Sequence, residues 1–169
     1  MYDRMLAGAI RKAVSLAVPL TLLLTGCQYY PPTLRHEERD LELHETLLLK
    51  VHLSGDFSDA EPVFRDGTAD IPAISGKIGG AVFLDQSAVY KASLTFSYDG
   101  KALTLMDIPE EQLMLVYCSR DGKQTYPLKD ARLDTRNDTI TGEVWELGYY
   151  LLVDARAYHY DEITEAQSQ

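Results

Sequence analysis

Two stretches of this chain alternate apolar and polar residues with a period of two, and little except a β-strand satisfies that alternation. Leu41, Leu43, Leu47, Leu49, Val51 and Leu53 share one parity, interrupted only by Glu45, while Glu42, His44, Thr46, Lys50 and His52 take the other. The pattern predicts one long half-buried strand, or two strands joined by a bend. In the second stretch Ala88, Tyr90, Ala92, Leu94, Phe96 and Tyr98 lie on one face, with Ser87, Lys91, Ser93, Thr95 and Ser97 opposite. Alternation of this kind belongs to an antiparallel sheet with one face in water.

Shorter strand candidates follow at Gly79 to Leu84, Leu103 to Met106, Leu113 to Ser119, Thr139 to Trp145 and Tyr149 to Ala155. Asp99-Gly100 and Asp121-Gly122 supply two-residue hairpin turns, which need positive φ, and Asn137-Asp138 is a third turn signal. Gly76-Lys77-Ile78-Gly79-Gly80 lacks the lysine–hydroxyl ending of a phosphate loop and reads as a bulge or tight turn. Pro109-Glu110-Glu111 can open one helical turn, but no longer helical period appears beyond Leu24. With 46% hydrophobic residues, 11 Gly and 7 Pro, the composition is that of a globular domain. Seven to eight closely spaced strands imply an all-β chain, an antiparallel sandwich or barrel. We expect the sandwich domain to span residues 41–160, with a polar tail over 161–169.

The second half narrows this expectation. Leu113 to Tyr117 with Gly122, then Pro127-Leu128, Leu133-Asp134, Asn137 to Val144 and Gly148-Tyr149-Tyr150 resemble the closing segment of immunoglobulin-like and ZU5-like modules of bacterial surface proteins. The resemblance covers residues 109–153 and implies an immunoglobulin-like β-sandwich. Glu146-x-Gly148-x-Tyr150 also resembles the tyrosine corner of such sandwiches, in which a hydroxyl ties the start of a strand to upstream backbone. Glu146 stands where that motif usually has Asp, and Leu152 where it has Cys.

The amino terminus carries a different signal. Arg4, Arg11 and Lys12 precede an apolar run from Ala13 to Leu24, the layout of a signal peptide. Twelve residues of helix cover about 18 Å, short of the ~30 Å hydrocarbon core, and Pro19 weakens a spanning helix further. Asp3 is unusual in such a region, and Met5 is an alternative start that removes it. The run ends in Leu24-Thr25-Gly26-Cys27, which resembles the lipobox of bacterial lipoproteins. The resemblance implies cleavage between Gly26 and Cys27, a diacylglycerol on the Cys27 thiol and an acylated, palmitate-bearing amino terminus. Several acyl chains at about 0.8 kcal/mol per buried CH₂ hold a protein on a bilayer without spanning it. In Gram-negative lipoproteins, a residue such as Gln28 after the cysteine, rather than Asp, implies the outer membrane, facing the periplasm or the surface. Residues 27–40, with Pro31-Pro32 and the charged run from Arg35 to Asp40, read as an extended tether.

Lipidation of Cys27 leaves Cys118 as the one remaining cysteine, so no internal disulfide is expected. Cys118 ends the apolar stretch Leu113 to Cys118 and reads as a buried structural thiol. Cleavage also sheds Arg4, Arg11, Lys12 and Asp3, moving the formal charge from −10 to −12. That excess of acid argues against nucleic-acid binding and against adsorption to an anionic bilayer, leaving the lipid as the anchor.

Catalytic constellations are missing from the sequence. His36, His44, His52 and His159 show no metal-ligand spacing, and on a straight strand His44 and His52 lie about 26 Å apart. No nucleophile elbow or S-x-x-K motif is present, so we expect neither an enzyme nor a cofactor. Asp56, Asp59 and Glu61, followed by Asp66 and Asp70, supply hard oxygen ligands that could hold Ca²⁺, although not in the EF-hand pattern. Of the 11 tyrosines, Tyr90, Tyr98, Tyr117 and Tyr150 read as core. Tyr126, Tyr149, Tyr158, Tyr160 and Trp145 are candidates for an exposed aromatic surface. The expectation is a lipid-anchored envelope protein with a non-catalytic interaction or assembly domain and a protein partner. The alternative is a module that binds glycan or Ca²⁺.

Overall fold

The computed structural model describes residues 34–57, 63–85 and 89–158. The signal segment, the lipobox, Asp59, Glu61, His159 and Tyr160 lie outside the described residues. Among the described residues ten strands, rather than the expected seven to eight, form two antiparallel five-stranded sheets: β1 Arg35–His44, β2 Leu48–Phe57, β3 Val63–Asp66, β4 Lys77–Asp85, β5 Val89–Ser97, β6 Leu113–Ser119, β7 Thr125–Pro127, β8 Arg132–Asp134, β9 Thr139–Val144 and β10 Gly148–Asp154. The first sheet has the order β1-β2-β5-β9-β8 and the second β3-β4-β10-β6-β7. The chain passes back and forth between the sheets, with hairpins β1–β2 and β8–β9 in the first and β3–β4 and β6–β7 in the second, and β10 inserts between β4 and β6. The protein is an all-β sandwich.

The two alternating stretches behave as their parity demands. The chain bends at residues 45–47 and folds Leu41–Leu53 into the hairpin β1–β2, with Leu43 opposite Leu49 and Leu41 opposite Val51. Leu43, Leu49, Val51 and Leu53 are buried, as are Ala92, Leu94, Phe96 and Tyr98 from the second stretch. These side chains meet Val82, Leu84, Leu115, Tyr117, Tyr150 and Leu152 of the second sheet in one core. Each Leu or Phe taken fully out of water contributes roughly 1.5–3 kcal/mol, which makes this layer the main driving force for folding.

Strand β1 begins earlier than expected. Arg35–Asp40, assigned above to the tether, belongs to the sheet and pairs with Phe57 through His52. Arg35, Glu37 and Arg39 share the inward parity of Leu41 and Leu43, and both arginines pair with the Glu37 carboxylate. An ion triad thus closes this end of the sandwich. Inward-pointing charge on an edge strand also discourages pairing with a second chain.

The second sheet departs from the one-wet-face expectation. The inner core takes Ile78, Val82, Leu84, Leu113, Leu115, Tyr117, Tyr150 and Leu152. On the other face Ala81, Phe83, Val116, Cys118, Tyr149, Leu151 and Val153 form a second cluster beneath Ile71, Ile74 and Tyr158. Backbone bonds hold this cover down: Gly67 N–H donates to Ala81 O (2.8 Å) and Asp154 N–H to Gly76 O (2.8 Å). Gly79, at φ 69°, forms the expected irregularity. Leu151 pairs with Ala81 and Leu152 with Ile78, so β4 carries two extra residues there. Two extra residues preserve parity, which keeps Ile78 and Val82 on the same inner face.

Two local predictions fail in one place. Asp99-Gly100 is not a hairpin turn, and Leu103–Met106 is not a strand. Asp99 caps a short helix, α1 Gly100–Leu105, accepting from Lys101 N–H at 2.9 Å. An aspartate whose oxygen meets free N–H groups serves a helix start as readily as a turn. Asn137-Asp138 does turn β8 into β9, with Asp138 at φ 52°, and Gly122 at φ 71° helps turn β6 into β7, over residues 120–124 rather than the expected two. Residues Glu110–Gln112 form the single expected helical turn.

The tyrosine corner is present in geometry. The Tyr150 hydroxyl donates to Glu146 O (2.6 Å) and accepts from Glu146 N–H (3.3 Å), tying the entry to β10 at a residue four positions upstream. A Cβ on Gly148 would lie 2.4 Å from Cys118 O, so only glycine lets the strands approach here. Tyr150→Phe keeps the ring and strands two backbone groups. We expect a loss of about 1–2 kcal/mol, read as a lower denaturant midpoint at unchanged m-value.

Candidate functional site

Beyond Val144 the chain must leave one sheet and enter the other within three residues, Trp145 to Leu147. Three tyrosine hydroxyls converge on that link. Tyr150 holds the Glu146 backbone, Tyr117 donates to Leu147 O at 3.1 Å, and Tyr126 donates to the Glu146 carboxylate. Their rings are in series, with centroids 5.5 Å apart for Tyr150–Tyr117 and 5.0 Å for Tyr117–Tyr126. Burial, followed by the neighbouring Glu146 charge, pushes the Tyr117 phenol up to about 12. Burial and the bond to Glu146 raise the Tyr126 phenol as well. All three therefore remain protonated donors at neutral pH.

The pinned link presents Trp145 to solvent at 60% exposure, among the barest large apolar side chains of the described residues. Trp145 lies on a groove of about 610 Å³ that Tyr126, Pro127, Leu128, Lys129 and Asp130 line on one side, and Glu143, Trp145 and Glu146 on the other. Leu128 forms part of the floor. Its N–H donates to Leu115 O (2.9 Å), and its side chain occupies space that a Cβ on Gly142 would enter, at 2.9 Å. The groove thus combines two aromatic rings, an apolar floor, three carboxylates and one ammonium. Such a lining suits a ligand that is partly apolar and not anionic.

The other aromatic candidates separate from this surface. Tyr149 and Tyr158, expected as candidates for exposure, are buried under the cover of the second sheet, where the Tyr149 ring packs tilted against Phe83 with centroids 5.0 Å apart. Tyr98 and Tyr150 are core, as expected. Exposed aromatic surface at the groove therefore reduces to Trp145 and the half-buried Tyr126. Alternation alone could not make that separation, because both faces of the second sheet are covered.

The acidic residues have local partners. Asp56 is opposite His36 across β1–β2, with Oδ1 2.9 Å from Nδ1. Asp66 caps Thr68 N–H at 2.8 Å, and Asp70 pairs with Arg65 at 2.8 Å. Among the described residues no three His, Cys, Asp or Glu side chains are placed to share a metal ion. The hairpin also alters the histidine spacing. His52 faces Asp40, with Nδ1 and Oδ1 at 2.8 Å, and His44 lies beside Glu42 at 3.6 Å, so each ring engages its own carboxylate. Cys118 is buried, and burial pushes its thiol up to about 11, which leaves it uncharged and a poor nucleophile.

No protein-family model, curated protein or solved structure matches this chain. Among the described residues no helix is long and apolar enough to cross a membrane.

Two outcomes follow from this geometry. The hydrogen bond to Asp56 raises the His36 pKa above its ordinary value. A ring whose pKa is higher folded than unfolded adds stability below about pH 6.5 and loses it as pH rises through the folded value. NMR titration should place His36 above 6.5, and Asp56→Asn should return it towards that value. Trp145 is the single tryptophan of the chain. Its fluorescence should be quenched by acrylamide in the folded protein, and Trp145→Ala should change stability by less than about 0.5 kcal/mol.

Proposed function

We propose that this protein is a bacterial envelope lipoprotein, anchored through acylated Cys27, whose β-sandwich is a non-catalytic interaction domain for another envelope protein. The anchor rests on the sequence: three cations, a predominantly apolar run of twelve residues and Leu24-Thr25-Gly26-Cys27 in the expected order. The interaction half rests on one observation, a bare Trp145 held on a link that three tyrosines immobilise. Leaving a large aromatic ring in water wastes burial, while fixing its surroundings in advance lowers the entropy lost when a partner covers it. Exposed tryptophans over preformed grooves are the kind of residue that dominates interface energies.

The acidity of the domain supports this arrangement. With a charge of −12 after cleavage, the sandwich is repelled from anionic headgroups and is held at the bilayer by its lipid alone. In a Gram-negative cell Gln28 directs it to the outer membrane. Tyr126, Trp145 and their flanking carboxylates also favour the glycan-binding alternative, because sugars stack on aromatic faces and bond to carboxylates. Calcium binding by Asp56, Asp59 and Glu61 lacks comparable support, since Asp56 bonds His36.

Metabolic labelling with a palmitate analogue should mark the wild-type chain and not Cys27→Ala. Undiminished labelling of the variant would overturn the anchor. Affinity purification of the lipidated protein from solubilised envelopes should recover one stoichiometric partner. Recovery of none, with thermal stabilisation by oligosaccharides instead, would favour the glycan alternative.

A further inference from the structure

The groove beside Trp145 has a chemistry more specific than a general apolar contact. Asp130 and Glu146 place two carboxylates on its walls beside one cation, Lys129, and the Glu143 carboxylate on the same lining has an interaction of its own. Acid thus outnumbers base on the walls even with Glu143 set aside, on a domain that is itself strongly acidic. Trp145 and Tyr126 supply aromatic rings at the same place. Carboxylates beside aromatic rings form a receptor for an organic cation, which the ring quadrupole attracts while the carboxylates neutralise its charge. Building on the interaction reading above, we propose that this groove binds an arginine or lysine side chain carried on an extended basic segment of the partner protein.

Three observations favour that occupant. Tyr126 donates its hydroxyl to the Glu146 carboxylate, which orients the carboxylate without neutralising it and leaves further acceptor sites for a guanidinium or ammonium. The tyrosine series fixes the link that carries Trp145 and Glu146, so the two groups are positioned before any ligand arrives. The volume of about 610 Å³ exceeds what one side chain occupies and accommodates the apolar residues flanking the cation, with Leu128 and Pro127 beneath them. A phosphorylated or otherwise anionic ligand meets repulsion here. A neutral sugar gains the stacking but nothing from the net charge. The −12 field of the domain would in addition steer a basic segment towards the site and make its capture sensitive to salt.

The test uses the full lipidated chain in detergent micelles, with Trp145 as the intrinsic reporter. The probes are acetyl-(Arg-Ala)₃-amide, acetyl-(Glu-Ala)₃-amide and the N-acetylglucosamine trimer. We expect saturable change of Trp145 emission with the arginine peptide, weakened several-fold between 50 and about 200 mM salt, and no response to the glutamate peptide. Glu146→Gln keeps an acceptor for Tyr126 and removes the charge, and Asp130→Asn removes a second. Each should weaken binding by about threefold to tenfold and flatten the salt dependence. Trp145→Ala, followed by calorimetry, should weaken it about tenfold or more, with Trp145→Phe recovering part. An unchanged thermal midpoint shows that each variant folds.

A response to the sugar alone, equal response to both peptides, or binding unaffected by substitution at all three positions overturns the proposal. The interaction reading fails separately. If the envelope partner is recovered equally by wild type and Trp145→Ala, the groove assignment falls and that reading stands. If no partner is recovered while the arginine peptide binds as expected, the groove assignment stands and that reading falls.

Discussion

Strand β10 lies in the middle of the second sheet, between β4 and β6, and all seven of its residues are buried. Its side chains serve two layers: Tyr150 and Leu152 enter the core between the sheets, while Tyr149, Leu151 and Val153 support the cluster beneath residues 67–76. A strand buried on both faces has no room to slip, because a shift by one residue would exchange the two sets. The register of β4, β6 and the outer cover follows from that constraint.

The start of β10 turns this rigidity into a surface. Gly148 allows close approach to Cys118, and the Tyr150 hydroxyl holds Glu146 against the strand that follows it. Tyr117 and Tyr126 extend the same series outward from core to groove. The three residues between β9 and β10 are thereby fixed by bonds that cost little once the core has formed. Trp145 is exposed by the constraint that stabilises the sandwich, and the proposed binding surface needs no loop rearrangement to appear.

Electrostatics divides the molecule into regions with different roles. On the outer face of β1–β2, His36 faces Asp56, Asp40 faces His52 and Glu42 faces Lys50, a row of opposed groups with weak individual effect. At one end of the sandwich, Arg35 and Arg39 enclose Glu37 and guard the edge strand. At the groove, acid outnumbers base beside aromatic rings. The first two regions pair their charges across neighbouring residues, whereas the third sets Asp130 and Glu146 beside exposed aromatic surface.

Much of the fold was legible because period-two alternation reports a strand with one dry face directly. Leu41 to Leu53, Ala92 to Tyr98 and the turn at Asn137-Asp138 carried that information in neighbouring residues. The spacing of Gly148 and Tyr150 likewise disclosed the tyrosine corner, since its hydrogen bond spans four residues. Arg35–Asp40 escaped because its inward face is ionic, and Asp99 because one carboxylate can cap a helix or start a turn. The sequence by itself determined the sandwich and its main strands, both written in short-range pattern. Only the tertiary structure decided that Tyr149 and Tyr158 are covered while Trp145 is bare, and that Tyr126, Asp130 and Glu146 share one groove. Exposure and convergence depend on which segments fold over a sheet from far along the chain, and no local period records that.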